Sequence, residues 1–327
     1  MLKHHVQVDG HNIYVVESSL GGPSTPSSSN ATATSASVVL VPGHGDVTSA
    51  WNAVQRLLPP SIRSFTYDRL GLGQSDATDL PRPATILAQE LKSTLKACDV
   101  PPPYLLVGHS YAGIICREFL AKYDEDVVGL VYVDANQENT VRERDWPEEA
   151  WGKVVSGRDV EFDWNEIVGL KEGHRCTKEE WEQIGISDGK KKVKDDEGHT
   201  RAYGEAMEYK SSVQALGRHG QLDRRALGDR PLSVIVANLA RDLRRALEAG
   251  KQAGLGTPED HAVVEDFCER LPEIELRLAH EVLKLSSLHR LILTSVSGHM
   301  VPLWEPELCV QEILWCLEQI KRRSIKA

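Results

Sequence analysis

The chain has 327 residues, 41% of them hydrophobic and 26% charged, so it can bury a large core and has the composition of an ordinary globular protein. Its formal net charge of −10 argues against a surface that binds nucleic acid or an anionic membrane. The length favours one domain with insertions over two equal domains.

The cysteines and the N-terminal residues carry no targeting or metal-binding pattern. The six cysteines include no C-x-x-C pair, and Cys309 and Cys316 lie about 10 Å apart along a predicted helix, too far to bridge. Residues 1–5 lack the apolar region of a signal peptide, and no stretch is long enough to span a bilayer. We therefore expect a cytoplasmic protein with reduced thiols, no metal, and no nucleic-acid or membrane partner.

The N-terminal half of the chain alternates predicted strands with predicted helices. A hairpin is predicted over residues 6–17, and residues 18–37, rich in Ser, Thr, Gly and Pro, are predicted to be a flexible loop. The elements that follow are a strand at 37–41, the glycine-rich turn 42–46, a helix containing Trp51, a strand at 64–67, a second glycine-rich loop at 68–76, a helix over 84–98, and strands at 104–107 and 127–133.

The turn Gly108–Gly113 follows an apolar strand and precedes a helix. A serine on such an abrupt strand-to-helix turn is lifted above the sheet as a nucleophile, which requires small residues two places on either side. Gly108 and Ala112 meet that requirement around Ser110, although glycine is the commoner residue at the second place. The alternative is an ordinary turn that happens to contain a serine.

Residues 138–229 interrupt the alternation with a charged stretch that contains helix starts, among them the capping box at Thr177–Glu180. We interpret this stretch as a helical cap inserted over the sheet, which divides the chain into an N-terminal core segment (1–137), the cap (138–229) and a C-terminal core segment (230–327). Four tryptophans fall within it, and they could face a substrate cavity or only fasten the cap: Trp146, Trp151, Trp164 and Trp181.

The C-terminal core segment returns to the alternating pattern. A strand at 231–238 is followed by a helical segment from Ala240 to about Ser286 that restarts at Thr257, a last strand at 290–294, and a final amphipathic helix that begins at Pro306. Alternating strands and helices predict an α/β fold with a mostly parallel sheet. Ligands of such sheets bind at the carboxyl ends of the strands, where each motif above lies.

The ordered set of motifs resembles the α/β-hydrolase superfamily over nearly the whole chain outside the cap. The matching segments are Val41–Gly45, Tyr67–Ser75, Gly108–Gly113, Leu130–Asp134 and Ser297–His299. The resemblance implies the α/β-hydrolase fold and a nucleophile, an acid and a histidine in that chain order. Pro42-Gly43 stands where the family often has His-Gly, which could alter the oxyanion site.

The resemblance implies Ser110 as nucleophile and His299 as its base. His299 follows the last predicted strand in a Gly-His context, whereas the side chain of His109 is expected to point away from Ser110 and pack beneath the turn. The acid follows one of two strands in family members, which leaves Asp134 and Asp242 as alternatives. We favour Asp134 because it comes immediately after its strand, while Asp242 lies later than usual in a basic helical run.

Backbone N–H groups of Tyr111 and His44 are the oxyanion donors that the resemblance implies. Serine at the turn argues against dehalogenases and epoxide hydrolases, whose intermediates need a carboxylate nucleophile. The expected activity is hydrolysis of a small-molecule carboxylic ester, lactone, thioester or amide through an acyl-enzyme, without cofactor or metal. Alternatives are an acyltransferase, a hydroxynitrile-type lyase and a non-catalytic small-molecule receptor. Neither the substrate nor the oligomeric state follows from the sequence.

Overall fold

The structure is a computed structural model that describes residues 1–18, 36–156, 162–191 and 203–326. These residues form one eight-stranded, mostly parallel sheet flanked by helices, as the sequence predicts. The strands are β1 (Leu2–Val8), β2 (His11–Glu17), β3 (Ser37–Val41), β4 (Ser64–Tyr67), β5 (Tyr104–His109), β6 (Val127–Val133), β7 (Leu232–Val236) and β8 (His289–Leu293).

The sheet has the strand order β1-β2-β4-β3-β5-β6-β7-β8. Strand β2 pairs antiparallel with β1 and β4, and the remaining pairs are parallel. The carboxyl ends of β3, β5, β6, β7 and β8 therefore open at one edge of the sheet. The loops that carry the predicted site residues all follow these strands.

Helices cover both faces of the sheet and fill the connections. Among the described residues they are α1 (Asn52–Leu57), α2 (Ala84–Ala97), α3 (Ala112–Lys122), α4 (Thr140–Arg144), α5 (Glu148–Val155), α6 (Trp164–Ile167), α7 (Leu170–Gly173), α8 (Lys178–Lys191), α9 (Tyr203–Met207), α10 (Tyr209–Arg218), α11 (Leu239–Gln252), α12 (Pro258–Leu283), α13 (Val301–Trp304) and α14 (Pro306–Lys326). Helices α4 to α10 lie between β6 and β7, in residues 138–229, which we call the inserted segment.

Strand β5 is buried along its whole length because helices pack on both of its faces. Leu106 belongs to one apolar cluster, shared with α2 and α3. Its neighbours Leu105 and Val107 belong to a second cluster, shared with α1 and α14. Successive side chains of a strand point to opposite faces, so a continuous apolar run fills two cores at once.

The predicted helical segment from Ala240 to about Ser286 is two helices, α11 and α12. The second begins where the sequence predicts a restart. Thr257 Oγ1 accepts the backbone N–H of Asp260, and the Asp260 carboxylate accepts that of Thr257 at 3.0 Å, which together form a capping box.

The tryptophans of the inserted segment mainly fasten it to the body. Trp146 lies edge-on to Trp151, with ring centroids 5.5 Å apart, and to Phe267 of α12 at 5.1 Å. Trp164 lies edge-on to Trp151 at 6.3 Å. Trp181 joins a separate apolar cluster that includes Leu303 of the body. These contacts favour the fastening role of the two alternatives.

Three further predictions concern the cysteines, membrane-spanning helices and the loop at 18–37. All six cysteines are free thiols. Within the described ranges, none of the helices combines the length and the apolar character that crossing a bilayer requires. Most of the predicted loop at 18–37 lies outside the described residues, and Ser37 is already the first residue of β3.

Candidate active site

Ser110 occupies a strained turn between β5 and α3. Its φ of 55° lies in the left-handed region, which non-glycine residues rarely adopt. The turn is held by backbone hydrogen bonds on both sides, since the Ser110 N–H donates to Val133 O at 3.2 Å and the Ser110 carbonyl accepts the N–H of Asn136 at 2.8 Å. The serine is half-buried at the carboxyl edge of the sheet.

Close backbone approach explains the glycines of this turn. A Cβ built at Gly108 would lie 3.0 Å from the backbone of Ala112, and one built at Gly113 would lie 2.4 Å from the carbonyl oxygen of Asn136. The tightest contact therefore falls on Gly113, one place after the residue that the sequence pattern emphasises.

His299 and Asp134 form a short polar contact at this edge of the sheet. His299 lies in the loop after β8, and its Nδ1 donates to Asp134 Oδ2 at 2.6 Å. Asp134 directly follows β6, is 4% exposed, and accepts the N–H of Ala237 on its other oxygen at 3.0 Å. A φ of 45° turns its carboxylate across the end of β7 toward the His299 loop. Aspartate tolerates this conformation better than most residues do.

Asp242, the alternative acid, contacts the backbone of His299 instead of its ring. The His299 N–H donates to Asp242 Oδ2 at 2.9 Å. Asp242 lies in the first turn of α11 and is 3% exposed. A Cβ at Gly298 would lie 1.9 Å from the same oxygen, so glycine is required for the loop to rest on this carboxylate.

His109 has a more specific contact than the packing role expected from the sequence. Its ring is buried, and its Nε2 lies 2.9 Å from the carbonyl oxygen of His299. A carbonyl only accepts, so Nε2 carries the proton and donates it. The two rings lie 4.6 Å apart, which places the His299 imidazole beside the turn that bears Ser110. The chain neighbour of the serine therefore helps to hold the His299 loop.

The pKa values of the pair follow from burial and mutual attraction. Burial lowers the pKa of His299, but the hydrogen bond and the charge of Asp134 outweigh it, so this pKa is raised above the ordinary value of 6.5. Burial alone would raise the pKa of Asp134, but the hydrogen bond and charge of His299 bring it below its usual 3.8. Asp134 is therefore an anion at neutral pH, and it stabilises the imidazolium form of its partner.

The turn after β3 lies directly against the serine. A Cβ at Gly43 would lie 3.1 Å from Ser110 Cβ. The ring of His44 lies edge-on to that of Tyr111, with centroids 6.0 Å apart. Tyr111 is buried, and its hydroxyl donates to Ser212 Oγ of the inserted segment at 3.1 Å. The two residues whose N–H groups are the predicted oxyanion donors thus come from turns that meet at Ser110.

A possible metal-ligand group lies apart from these loops. Among the described residues, His4, Glu17 and Cys98 bring ligand atoms within 4.8 Å of one another at the antiparallel edge of the sheet. Glu17 already pairs with Arg63 at 3.0 Å. This group has no contact with Ser110 or His299 that would give it a role in their chemistry.

Two contacts on the backbone of His299 do not follow from the sequence. The sequence suggests Asp242 only as an acid for the imidazole, and His109 only as a rival base or a packing residue. Both predictions concern side-chain chemistry, whereas in the structure the two residues hold a main-chain N–H and a carbonyl. The only available signal is the position of Asp242 next to a predicted helix start.

Comparison with known proteins identifies the family. The family model described as "Alpha/beta hydrolase family" matches residues 38–312. A protein of Gibberella zeae, described as an AB hydrolase superfamily protein, is 33% identical over 279 residues, which cover 83% of this chain and 83% of that protein. The chain therefore belongs to the alpha/beta hydrolase family.

Solved structures with this fold differ in chemistry. An esterase from Thermogutta terrifontis superposes with a TM-score of 0.56 at 15% identity, covering 98% of this chain and all of that one. A loop variant of a haloalkane dehalogenase from Bradyrhizobium elkanii superposes with a TM-score of 0.62 at 15% identity, covering 99% of each chain. At such identities the likeness shows the fold alone, so the residues of the site must distinguish the reactions.

Proposed function

We propose that the protein is a serine hydrolase that cleaves a carboxylic ester, lactone, thioester or amide of a small molecule. Ser110 is the nucleophile, His299 the general base and Asp134 the acid that orients the base. The observation that carries the proposal is the hydrogen bond of 2.6 Å between His299 Nδ1 and a buried carboxylate, beside a serine with a φ of 55°. Family membership supports hydrolysis as the reaction class.

The geometry fits stepwise acyl transfer. A serine hydroxyl is a weak nucleophile at neutral pH and needs a base within hydrogen-bond reach. As Ser110 Oγ attacks the substrate carbonyl, its proton passes to His299 Nε2, because Nδ1 already carries the proton donated to Asp134. The imidazolium then protonates the leaving group as the bond to it breaks. In the second half, His299 deprotonates a water that attacks the acyl-enzyme. The imidazolium then returns the proton to Ser110 Oγ as the acyl–serine bond breaks and the acid leaves.

The negative oxygen of the tetrahedral intermediate would receive the backbone N–H groups of Tyr111 and His44. Their turns meet at Ser110, as the 3.1 Å approach of Gly43 to Ser110 Cβ indicates. Removing one such donor typically costs about 10²–10³ in rate. The serine also argues against the reaction of the haloalkane dehalogenase neighbour, since an alkyl-enzyme of that type requires a carboxylate nucleophile.

We further propose that the inserted segment, residues 138–229, is a cap that closes over the site between the core segments 1–137 and 230–327. Side chains of α10 support this by contacting the loops of the site. Ser212 Oγ accepts a hydrogen bond from the hydroxyl of Tyr111. The hydroxyl of Tyr209 accepts one from Asn136 Nδ2 at 2.7 Å. A cap formed in this way would exclude water and shape the substrate cavity.

A fluorophosphonate probe followed by peptide mapping tests the proposal. We expect labelling at Ser110, and we expect that His299→Ala abolishes it. His280→Ala is a matched control, because His280 is exposed on α12 and bonds only within its own helix among the described residues. Absence of labelling in folded wild-type protein would favour a non-catalytic receptor.

Product analysis with competing alcohols and thiols then separates hydrolysis from acyl transfer. Cleavage of a cyanohydrin without labelling of Ser110 would indicate a lyase.

A further inference from the structure

The turn bearing the predicted oxyanion donor is held from behind by a buried arginine. Arg69, in the loop after β4, is fully buried. Its Nη1 donates to the carbonyl of Pro42 at 2.7 Å, and its Nη2 donates to the carbonyl of Gly43 at 2.6 Å. In the sequence this residue stands out only as a member of a glycine-rich loop.

The carbonyl of Gly43 accepts Arg69 Nη2 and also the backbone N–H of Asp46 at 3.1 Å, and these two bonds fix the orientation of the next N–H group. The carbonyl of Gly43 and the N–H of His44 belong to the same planar peptide unit, in which the two groups point in opposite directions. Because Arg69 holds the carbonyl on one side, the His44 N–H is directed away from the arginine. Any rotation of this peptide would change the direction of the donor.

The inserted segment supplies the carboxylate that anchors this arginine. Glu205, on α9, is 2% exposed and accepts Arg69 Nε on Oε1 at 2.6 Å and Arg69 Nη2 on Oε2 at 2.9 Å. The same Oε2 accepts the N–H of Gly45 at 3.2 Å, in the oxyanion turn itself. One carboxylate from the inserted segment therefore holds both the arginine and the turn.

Electrostatics keep this carboxylate charged. Burial alone would raise the pKa of Glu205, but the charge and the hydrogen bond of Arg69 bring it below the usual 4.5. A buried ion pair adds little net stability compared with apolar packing, because both charges lose their hydration. Fixing the geometry of the turn gives this pair a further role.

We propose that Glu205 is a positioning residue through which the cap sets the oxyanion site: with Glu205 docked, Arg69 holds the Gly43–His44 peptide with its N–H toward the substrate oxygen. This inference rests on the proposed serine hydrolase function. Without the carboxylate of Glu205, Arg69 loses its ion-pair partner and the turn loses the hydrogen bond that the N–H of Gly45 donates. The oxyanion site is therefore complete only with the Glu205 carboxylate in place.

The variant Glu205→Gln separates positioning from folding. All three partners of the carboxylate are donors, so the amide NH₂ of glutamine must face at least one of them. Size and shape stay the same. Glu208→Gln is the matched control, because Glu208 lies three residues away and bonds to Ser211 at an exposed position. Glu205→Asp retains the charge and should recover some of the activity.

We would measure kcat and KM for p-nitrophenyl acetate and Ki for a trifluoromethyl ketone, which binds as an oxyanion. In Glu205→Gln we expect kcat to fall roughly 10- to 100-fold, somewhat less than full loss of a donor. We expect KM to stay within about twofold, since ester binding precedes oxyanion formation. Ki should rise by the factor by which kcat/KM falls, and Glu208→Gln should match wild type. Thermal unfolding checks that the variants are folded.

Two results would overturn the inference while leaving the proposed function intact. One is an unchanged rate of fluorophosphonate labelling at Ser110 in Glu205→Gln. The other is a loss of activity that appears only in KM, with Ki for the ketone unchanged. If wild-type protein itself is not labelled, the proposed function fails, and the positioning role fails with it. If Glu205→Gln does not fold, partial activity of Glu205→Asp with a raised Ki supports the role, and wild-type constants refute it.

Discussion

Replacing Asp134 by asparagine tests the proposed mechanism at its most specific contact. One oxygen of the carboxylate accepts the N–H of Ala237 at 3.0 Å, and the other accepts His299 Nδ1–H at 2.6 Å. The backbone N–H is always a donor, so the asparagine carbonyl must face Ala237. The amide NH₂ then faces Nδ1, which must become an acceptor.

The consequence is the wrong tautomer of the base. With Nδ1 unprotonated, a neutral His299 carries its proton on Nε2 and has no lone pair there to receive the proton of Ser110. The corresponding change in a serine protease lowers kcat by about 10⁴, which corresponds to roughly 5.4 kcal/mol of transition-state stabilisation. We expect a loss of the same order here, since the carboxylate is buried and water does not replace it readily.

The assay is steady-state hydrolysis of p-nitrophenyl acetate by purified variants, with thermal unfolding as a check of folding. Asp242→Asn is the matched control, because its carbonyl can still accept the His299 N–H and only the contact with Arg241 Nη1 at 3.3 Å is lost. We expect it to lose less than about tenfold, as one partly exposed hydrogen bond contributes about 1 kcal/mol. Equal losses in the two variants, or a larger loss in Asp242→Asn, would refute the assignment of the acid.

Three further predictions concern pH and glycine contacts. Since the pKa of His299 is raised above 6.5 and only the neutral ring accepts a proton, kcat/KM should rise with pH through an apparent pKa above 6.5; a rise centred below 6.5 would contradict this. Gly298→Ala should displace Asp242 and lower kcat about tenfold or more, because the new Cβ would lie 1.9 Å from its carboxylate; wild-type kinetics would contradict this. Gly113→Ala should destabilise the fold by about 1–3 kcal/mol in denaturant unfolding, whereas Gly152→Ala, which meets nothing within 4 Å, should be neutral or slightly stabilising.

The sequence predicts the central strands well because each must fill two cores. Strands such as β3 and β5 read as unbroken apolar runs, and every residue of both is buried. Strand β1 is different. It begins at Leu2, four residues before the predicted start at Val6. The first half of the strand is mostly exposed and is held by backbone hydrogen bonds to β2. Any side chain permits such pairing, so the mixed residues Leu2–His5 give no apolar signal.

The sequence predicts which residues lie near His299, but not which group of His299 each one contacts. Sequence order places both Asp134 and Asp242 near the carboxyl edge of the sheet, after β6 and after β7. Which of them reaches the imidazole depends on the left-handed turn at Asp134 and on the place where α11 begins, and neither has a distinct sequence signal. Both follow from the tertiary packing of the loops.

The two carboxylates can share one histidine because they bind different groups of it. Burial is the main cause of the raised pKa of Asp242, and the nearby charge of Asp134 raises it further, so the second carboxylate is the less stable anion. A group with that property would be a poorer partner for an imidazolium than Asp134, whose pKa is lowered. Asp242 remains a good acceptor for the backbone N–H of His299, because a neutral donor does not require a charged acceptor. The environment of each carboxylate therefore matches the contact it makes.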